Sequence, residues 1–168
     1  GSLQALQLIS VGMLKTGAQV YTETPTYLKS LQVFQSAGIS FTGIAMDKSG
    51  LVPWKIGKVP NGSLLYTIPT YQNPTTLVMT AARRKEVFDF CSKYRLPILE
   101  DDAYGELHFD EITPPLPIKA LDDSGVVLYT GTISKTLAPG FRVGWLVGPE
   151  SVVNRLADVK MQMDYGAS

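Results

Sequence analysis

Lys135 lies at the end of Gly131-Thr132-Ile133-Ser134-Lys135, a small and hydroxyl-rich segment behind the apolar run Val126–Tyr129, and Arg142 follows seven residues later. Two more polar segments stand behind apolar runs in the same way. Leu64–Ile68 leads into Pro69-Thr70-Tyr71-Gln72-Asn73-Pro74, and Ile98-Leu99 leads into Glu100-Asp101-Asp102-Ala103-Tyr104. If the runs are parallel strands of one sheet, their carboxyl ends share a rim. An amine, a carboxylate, an amide, a phenol and two hydroxyls then converge where open α/β sheets hold ligands. Amines and carboxylates are the groups of nucleophilic and general acid–base chemistry. Taken singly each has an ordinary explanation: a Ser-Lys pair is a solvated loop, and Asp101-Asp102 is a strand-end turn or helix cap.

The elements that must position these groups follow from periodicity and breakers. Helices are expected over 3–15, Pro25–Ala37 (stopped by Gly38), Thr80–Tyr94 and beyond Pro149. Strands are expected at Ala18–Glu23, Ile39–Met46, Leu64–Ile68, Leu96–Glu100, Val126–Thr130 and Val143–Val147. A loop carries Asp47, Ser49 and Gly50, a short helical piece spans Pro53–Val59, and Pro60-Asn61-Gly62 is a turn. Alternating strands and helices predict an α/β fold: a mainly parallel sheet with helices on both faces.

Composition narrows the function classes. The chain has 168 residues, about one domain's worth, with 15 basic against 15 acidic side chains. No basic face advertises nucleic acid, and no apolar run approaches the roughly 18 residues of a membrane span. A single cysteine, Cys91, excludes an internal disulfide and fits a cytoplasmic setting. Cys91 is expected as buried filler, His108 at the surface, and Trp54 and Trp145 in packing. Arg83-Arg84-Lys85 reads as a solvated helix face. No His/Cys cluster suggests a metal. Leu3, Leu6, Leu8 and Ile9 start a helical pattern directly behind Gly1-Ser2, and the chain stops at Asp164–Ser168 just after another. Residues 1–168 are therefore expected to be part of a longer polypeptide.

Five segments in order carry a resemblance: Gln4-Ala5-Leu6, Pro25-Thr26-Tyr27, Asn73-Pro74-Thr75, Asp101-Asp102-Ala103-Tyr104, and Ser134-Lys135 with Arg142. The chain resembles the aminotransferase class I/II family, fold type I enzymes that use pyridoxal 5′-phosphate (PLP). The likeness spans nearly the whole chain and implies most of the large, cofactor-binding domain. It implies that Lys135 forms the imine with the cofactor aldehyde and later serves as general base and acid. A lysine in that role must be neutral to react, which nearby positive charge from Arg142 favours. Arg142, Thr132, Ser134 and the Ser2 backbone amide are implied to hold the phosphate, the last at a helix amino end. Leu3 stands where relatives often carry a polar residue. Asp101 is implied to keep the pyridine nitrogen protonated, Asn73 and Tyr104 to bond the ring's phenolic oxygen, and Tyr27 to stack on its face. Catalysis itself is implied for Lys135, Asp101 and Tyr104. One departure is Thr76, where the family usually has glycine after Asn-Pro-Thr, implying a somewhat different turn.

Two functions follow from the resemblance. Segments 100–107 and 131–140 are especially similar to the aminotransferase-like effector domain of GntR/MocR-type transcriptional regulators. They also resemble stand-alone aminotransferases of the 2-aminoadipate and kynurenine type, which move an amino group between an amino acid and a 2-oxo acid. In either case the resemblance implies a homodimer, with an amino acid or 2-oxo acid as small-molecule partner. DNA would be bound only through an N-terminal winged helix outside this chain. The arginine that grips the substrate carboxylate belongs, by the same resemblance, to a small C-terminal domain, and a tyrosine on the phosphate comes from the partner subunit. Residues 1–168 alone are therefore expected to be inactive as a transaminase and to hold PLP weakly or not at all.

Overall fold

The structure, a computed structural model, describes residues 1–109 and 112–164; of the expected end at Asp164–Ser168, residues 165–168 lie outside the described ones. Helix α1 (Ser2–Gly12) leads into β1 (Gln19–Thr24), α2 (Leu28–Ser36) and β2 (Ser40–Asp47). Then come β3 (Gly50–Leu51), β4 (Leu64–Thr67), α3 (Ala81–Tyr94), β5 (Ile98–Asp102), β6 (Val127–Thr132), β7 (Gly144–Val147) and α4 (Glu150–Asp164). Single 3-10 turns occupy Pro53–Lys55, Ile118–Leu121 and Pro139–Phe141.

One seven-stranded sheet has the order β3-β2-β1-β4-β5-β6-β7. β2, β1, β4, β5 and β6 run parallel, while β3 and β7 join the two edges antiparallel. Successive residues of a strand face opposite sides, and the core divides accordingly. Leu65, Ile98 and Val127 pack with Val87 and Cys91 of α3 on one side. Leu64, Leu99 and Leu128 pack with Leu6 and Ile9 of α1, Phe34 of α2 and Leu156 of α4 on the other. Helices thus cover both faces, as the sequence predicts.

Several bounds differ from the sequence expectation. The first helix stops at Gly12, three residues short, where α4 crosses so closely that a Cβ would lie 2.9 Å from Leu156. The second starts at Leu28, because the chain bends at Pro25 and Tyr27 is still extended at the amino end of the helix. The Pro53–Val59 piece shrinks to a single 3-10 turn, and the loop at 47–50 folds back as the β2–β3 hairpin. β5 starts and ends two residues later than expected, so Asp101 and Asp102 belong to the strand itself.

The Arg83-Arg84-Lys85 expectation is corrected. Only Lys85 is solvated, paired with Asp89 at 2.7 Å. Arg83 is buried against the β2–β3 hairpin, where it bonds Asp47 and the carbonyls of Gly50 and Leu51. Arg84 is 1% exposed and donates to Met79 O, Leu116 O, Pro69 O and Thr70 Oγ1. Both side chains lie in the interface because their guanidinium forks satisfy carbonyls that apolar residues would leave bare. Trp54 is also corrected: it is largely exposed and lies over the Arg83 guanidinium at 5.0 Å. His108 is half-buried, with Nδ1 enclosed and unbonded, rather than at the surface. Cys91 is buried as expected, and burial pushes its thiol up to about 12, leaving it inert.

Candidate functional site

β1, β4, β5 and β6 all end on one edge of the sheet. The order reverses between β1 and β4, since β1 leads outward to β2 and β4 leads the other way to β5. Crevices at such reversals are where open α/β sheets bind ligands. A cavity of about 160 Å3 opens here. Ser2, Tyr27 and Asn73 line it together with Asp101 and Tyr104. Thr132, Ser134, Lys135 and Arg142 complete its polar wall, so the residues that the resemblance assigns to the cofactor line this one space, whereas Thr70, Gln72, Glu100 and Asp102 do not. Leu3, Ile68 and Ala103 supply apolar lining.

Asp101 is buried at the end of β5. Its Oδ2 accepts a 2.8 Å hydrogen bond from Tyr66 Oη, while Oδ1 is enclosed and accepts none. Burial raises its carboxyl to about 6; the Tyr66 bond pulls down and the neighbouring Asp102 charge pushes up. Asp102 points the other way, accepting from Tyr129 Oη at 2.8 Å. Above the floor, Asn73 Nδ2 donates to Tyr104 Oη at 3.3 Å. Tyr27 caps the amino end of α2, and burial, then the nearby Tyr104 and Asp101, raise its phenol. Lys135 sits exposed in the turn after β6, its Nζ 6.0 Å from the centre of the Tyr104 ring.

Groups that favour an anion gather at the far end of the cavity. Thr132 Oγ1 donates to Val143 O at 2.8 Å and accepts from the Ser134 amide at 3.1 Å. The space beside the Gly1 Cα, where a Cβ would stand, is bounded by Arg142 Nη2 at 3.6 Å, Thr132 Oγ1 at 3.6 Å and Ser134 Oγ at 3.8 Å. α1 begins at this point with no acidic residue in its first turn and no side chain capping it. Its free amides and dipole favour negative charge. Arg142 holds a left-handed backbone at φ +54°, a strained conformation typical of functional sites.

Two residues that support the site, Glu23 and Tyr66, escaped the sequence reading, and Gln72 was read only as part of the 69–74 rim. Glu23, near the end of β1, is buried beside β4 on the sheet face away from Asp101. It accepts from the hydroxyl of Thr67, the Ile68 amide at 3.1 Å and Gln72 Nε2 at 3.1 Å. Gln72 in turn donates to Pro25 O and accepts from Thr75 N, which fixes the loop carrying Asn73. A carboxylate at a strand end was visible in the sequence; partners 44 to 49 residues away were not. Burial raises Glu23 to about 7 against its hydrogen bonds from Thr67, Gln72 and Ile68, with the Asp101 charge adding to the rise. Glu100, buried in β5 on the same face as Glu23, is also raised to about 7, by burial first. A carboxyl that holds its proton more tightly when folded stabilises most below its unfolded value, and that contribution is lost as pH rises through the folded one. Stability is therefore expected to fall between about pH 5 and 7.5. Glu23→Gln should flatten part of that slope in urea unfolding midpoints taken across pH; an unchanged slope would show that Glu23 takes no part in it.

Thr76 sits in the same loop at φ +61°. The chain thus makes a glycine-favouring left-handed turn at this position and accepts the strain of a β-branched residue there. Thr76→Gly is expected to raise stability by about 0.5–1 kcal/mol, read from the urea midpoint, whereas Thr76→Val should give no gain.

A doubly wound sheet with an amine, a buried carboxylate and an anion cradle at its reversal point defines an α/β small-molecule site. Comparison with known proteins identifies its lineage: the model of the family "Aminotransferase class I and II" matches residues 1–167, and the chain belongs to that family. The uncharacterized HTH-type transcriptional regulator YisV of Bacillus subtilis is 54% identical over the whole chain, which covers 35% of that protein. Aromatic-amino-acid aminotransferase 1 of Thermococcus litoralis is 39% identical over 98% of the chain and 41% of its own length. Kynurenine aminotransferase of Pyrococcus horikoshii, solved in complex with PMP, superposes with a TM-score of 0.88 at 39% identity. That match covers 98% of this chain and 42% of the solved one. The chain therefore spans between one third and one half of the length of these relatives. Among the described residues, no helix is long and apolar enough to cross a membrane.

Proposed function

We propose that this chain is the cofactor-holding part of a PLP-dependent protein. The observation that carries this reading is the buried, unbonded Asp101 Oδ1, in the same cavity as the Lys135 amine and the Thr132, Ser134 and Arg142 donors. That donor and acceptor set fits PLP: a positive cradle for its phosphate, a carboxylate for its ring nitrogen, an amine for its aldehyde. When bound, PLP supplies an electron sink for the α-carbon of an amino acid.

The chain's own groups do the rest. Asp101 would hold negative charge against the ring nitrogen, and its raised proton affinity makes it a good partner for a shared proton. Asn73 and Tyr104 would bond the phenolic oxygen, and Tyr27 would cover one face of the ring. The Ser2 amide, Thr132, Ser134 and Arg142 would fix the phosphate, while Leu3 offers an apolar side chain beside them. Lys135 would hold the aldehyde carbon and, once released, carry a proton on Nζ. Lys135, Asp101 and Tyr104 are the residues proposed to act in catalysis.

The parent polypeptide is read as a GntR/MocR-type transcriptional regulator that uses this domain to sense a ligand. The 54% identity to an HTH-type regulator supports this reading. A DNA-binding winged helix before residue 1 and a small domain after residue 168 would make up the remaining length. The whole would act in the cytoplasm as a homodimer, with an amino acid or 2-oxo acid as ligand. The second reading, a stand-alone aminotransferase, is favoured by the close superposition on kynurenine aminotransferase.

Visible absorption of the full-length protein with PLP, before and after an amino-acid panel, separates the readings. Conversion to the amino form of the cofactor, reversed by a 2-oxo acid, supports the enzyme. A lasting spectral change without conversion supports the sensor. Absence of any band that depends on Lys135 overturns the site assignment.

A further inference from the structure

We propose that Tyr66 is a positioning residue of this site: its phenol pins one oxygen of Asp101 and so presents the other to the ligand. The inference rests on the PLP reading above. Tyr66 is fully buried in β4 among Leu6, Ile9 and Leu99, with the Phe34 ring edge-on at 5.6 Å. In such a place a phenylalanine would pack equally well, and a phenol needs a partner. The partner is Asp101 Oδ2 on the neighbouring strand, 2.8 Å away and 35 residues on in sequence. The other oxygen, Oδ1, is buried in the cavity wall with nothing bonded to it.

The two oxygens of Asp101 are thereby made unequal. A carboxylate free to rotate offers either oxygen at varying angles, whereas one fixed through Oδ2 holds Oδ1 at a set direction and depth. Burial, with the Asp101 charge next, raises the Tyr66 phenol well above its ordinary value, so it stays protonated and always donates. Its bond also opposes the rise in Asp101's proton affinity, which keeps the carboxylate charged nearer neutral pH. Ser30 on α2 acts on the same phenol and donates at 2.6 Å to the carbonyl of Tyr27. The helix that brings Tyr27 to the cavity is thus linked to the Asp101 support.

The test compares equilibrium affinities of the full-length protein for PLP and for 1-deazapyridoxal 5′-phosphate, in which CH replaces the ring nitrogen. The wild type is expected to prefer PLP. Tyr66→Phe should reduce that preference about tenfold, the effect of losing one hydrogen bond to a charged group. The apparent titration of Asp101 in the ligand-free protein should move upward in the same variant. Phe34→Leu, which disturbs the packing of the Tyr66 ring and keeps the phenol, should weaken both ligands alike. If Tyr66→Phe weakens both ligands equally or neither, Tyr66 is a packing residue and the proposal is overturned, with the PLP site intact. If the wild type binds neither ligand in a Lys135-dependent way, the site reading itself fails and this inference fails with it.

Discussion

Replacing Lys135 by alanine is expected to leave the protein folded and yet unable to retain PLP covalently. Lys135 is exposed in the turn after β6, its Nζ 6.0 Å from the centre of the Tyr104 ring. Losing a side chain in that setting changes stability by no more than about 0.5 kcal/mol. The chemical loss is total at this position, because no other side chain lining the cavity carries a primary amine. Borohydride reduction followed by intact-mass measurement reads the effect directly. The wild type should gain the mass of one reduced cofactor and Lys135→Ala none. Urea midpoints of the two proteins should coincide. Labelling of the variant at the wild-type level would move the attachment point to another lysine and dismantle the assignment built on the 131–135 segment.

The second large effect is expected at Arg84, outside the cavity. Its guanidinium ties together Pro69 and Thr70 behind β4, Met79 ahead of α3, and Leu116 in the segment after β5. Burial lowers its proton affinity while the Glu100 and Asp102 charges raise it, and three of its four acceptors, Met79 O, Pro69 O and Thr70 Oγ1, are bonded in buried surroundings. Arg84→Met would fill most of the volume but strip those oxygens of the guanidinium's hydrogen bonds, leaving only Pro69 O with another donor, the Met79 amide, at a cost of about 3–5 kcal/mol. Arg84→Lys should recover little, since one ammonium cannot reach the spread of positions that a planar fork serves. Both values come from urea unfolding of the full-length protein. The Pro69–Asn73 loop starts from these bonds, so PLP affinity should fall in parallel. A loss under about 1 kcal/mol for Arg84→Met would mean that water takes over the vacated positions.

Which parts of this were legible in the sequence follows from the range of the interactions. Lys135, Asp101, Asn73 and Tyr104 could be placed because each stands at or behind the carboxyl end of a strand, and parallel strand ends share an edge whatever the packing. The two-residue shift of β5 left that reasoning intact. Arg84 was misjudged because helix position and charge say which residues share a face. They do not say that loops from two other parts of the chain fold over that face. Tyr66 and Glu23 were missed for a related reason. Within its own strand each matches an ordinary β residue, and its meaning comes from a partner 35 to 49 residues away. The β2–β3 hairpin was lost to a turn that, read locally, looks like a plain loop.

The anion cradle joins the start of α1 to Thr132, Ser134 and Arg142, regions about 130 to 140 residues apart in the chain. The carboxylate end of the cavity, by contrast, lies inside the central strands. A ligand spanning both ends works as a clasp: it closes a long loop and is held tightly only when the first helix is docked. Its affinity and the resistance of α1 to proteases should then rise and fall together, since binding to the docked form alone draws the open form down by mass action. Digestion of the amino-terminal helix becomes a gauge of occupancy, readable on a gel without any chromophore.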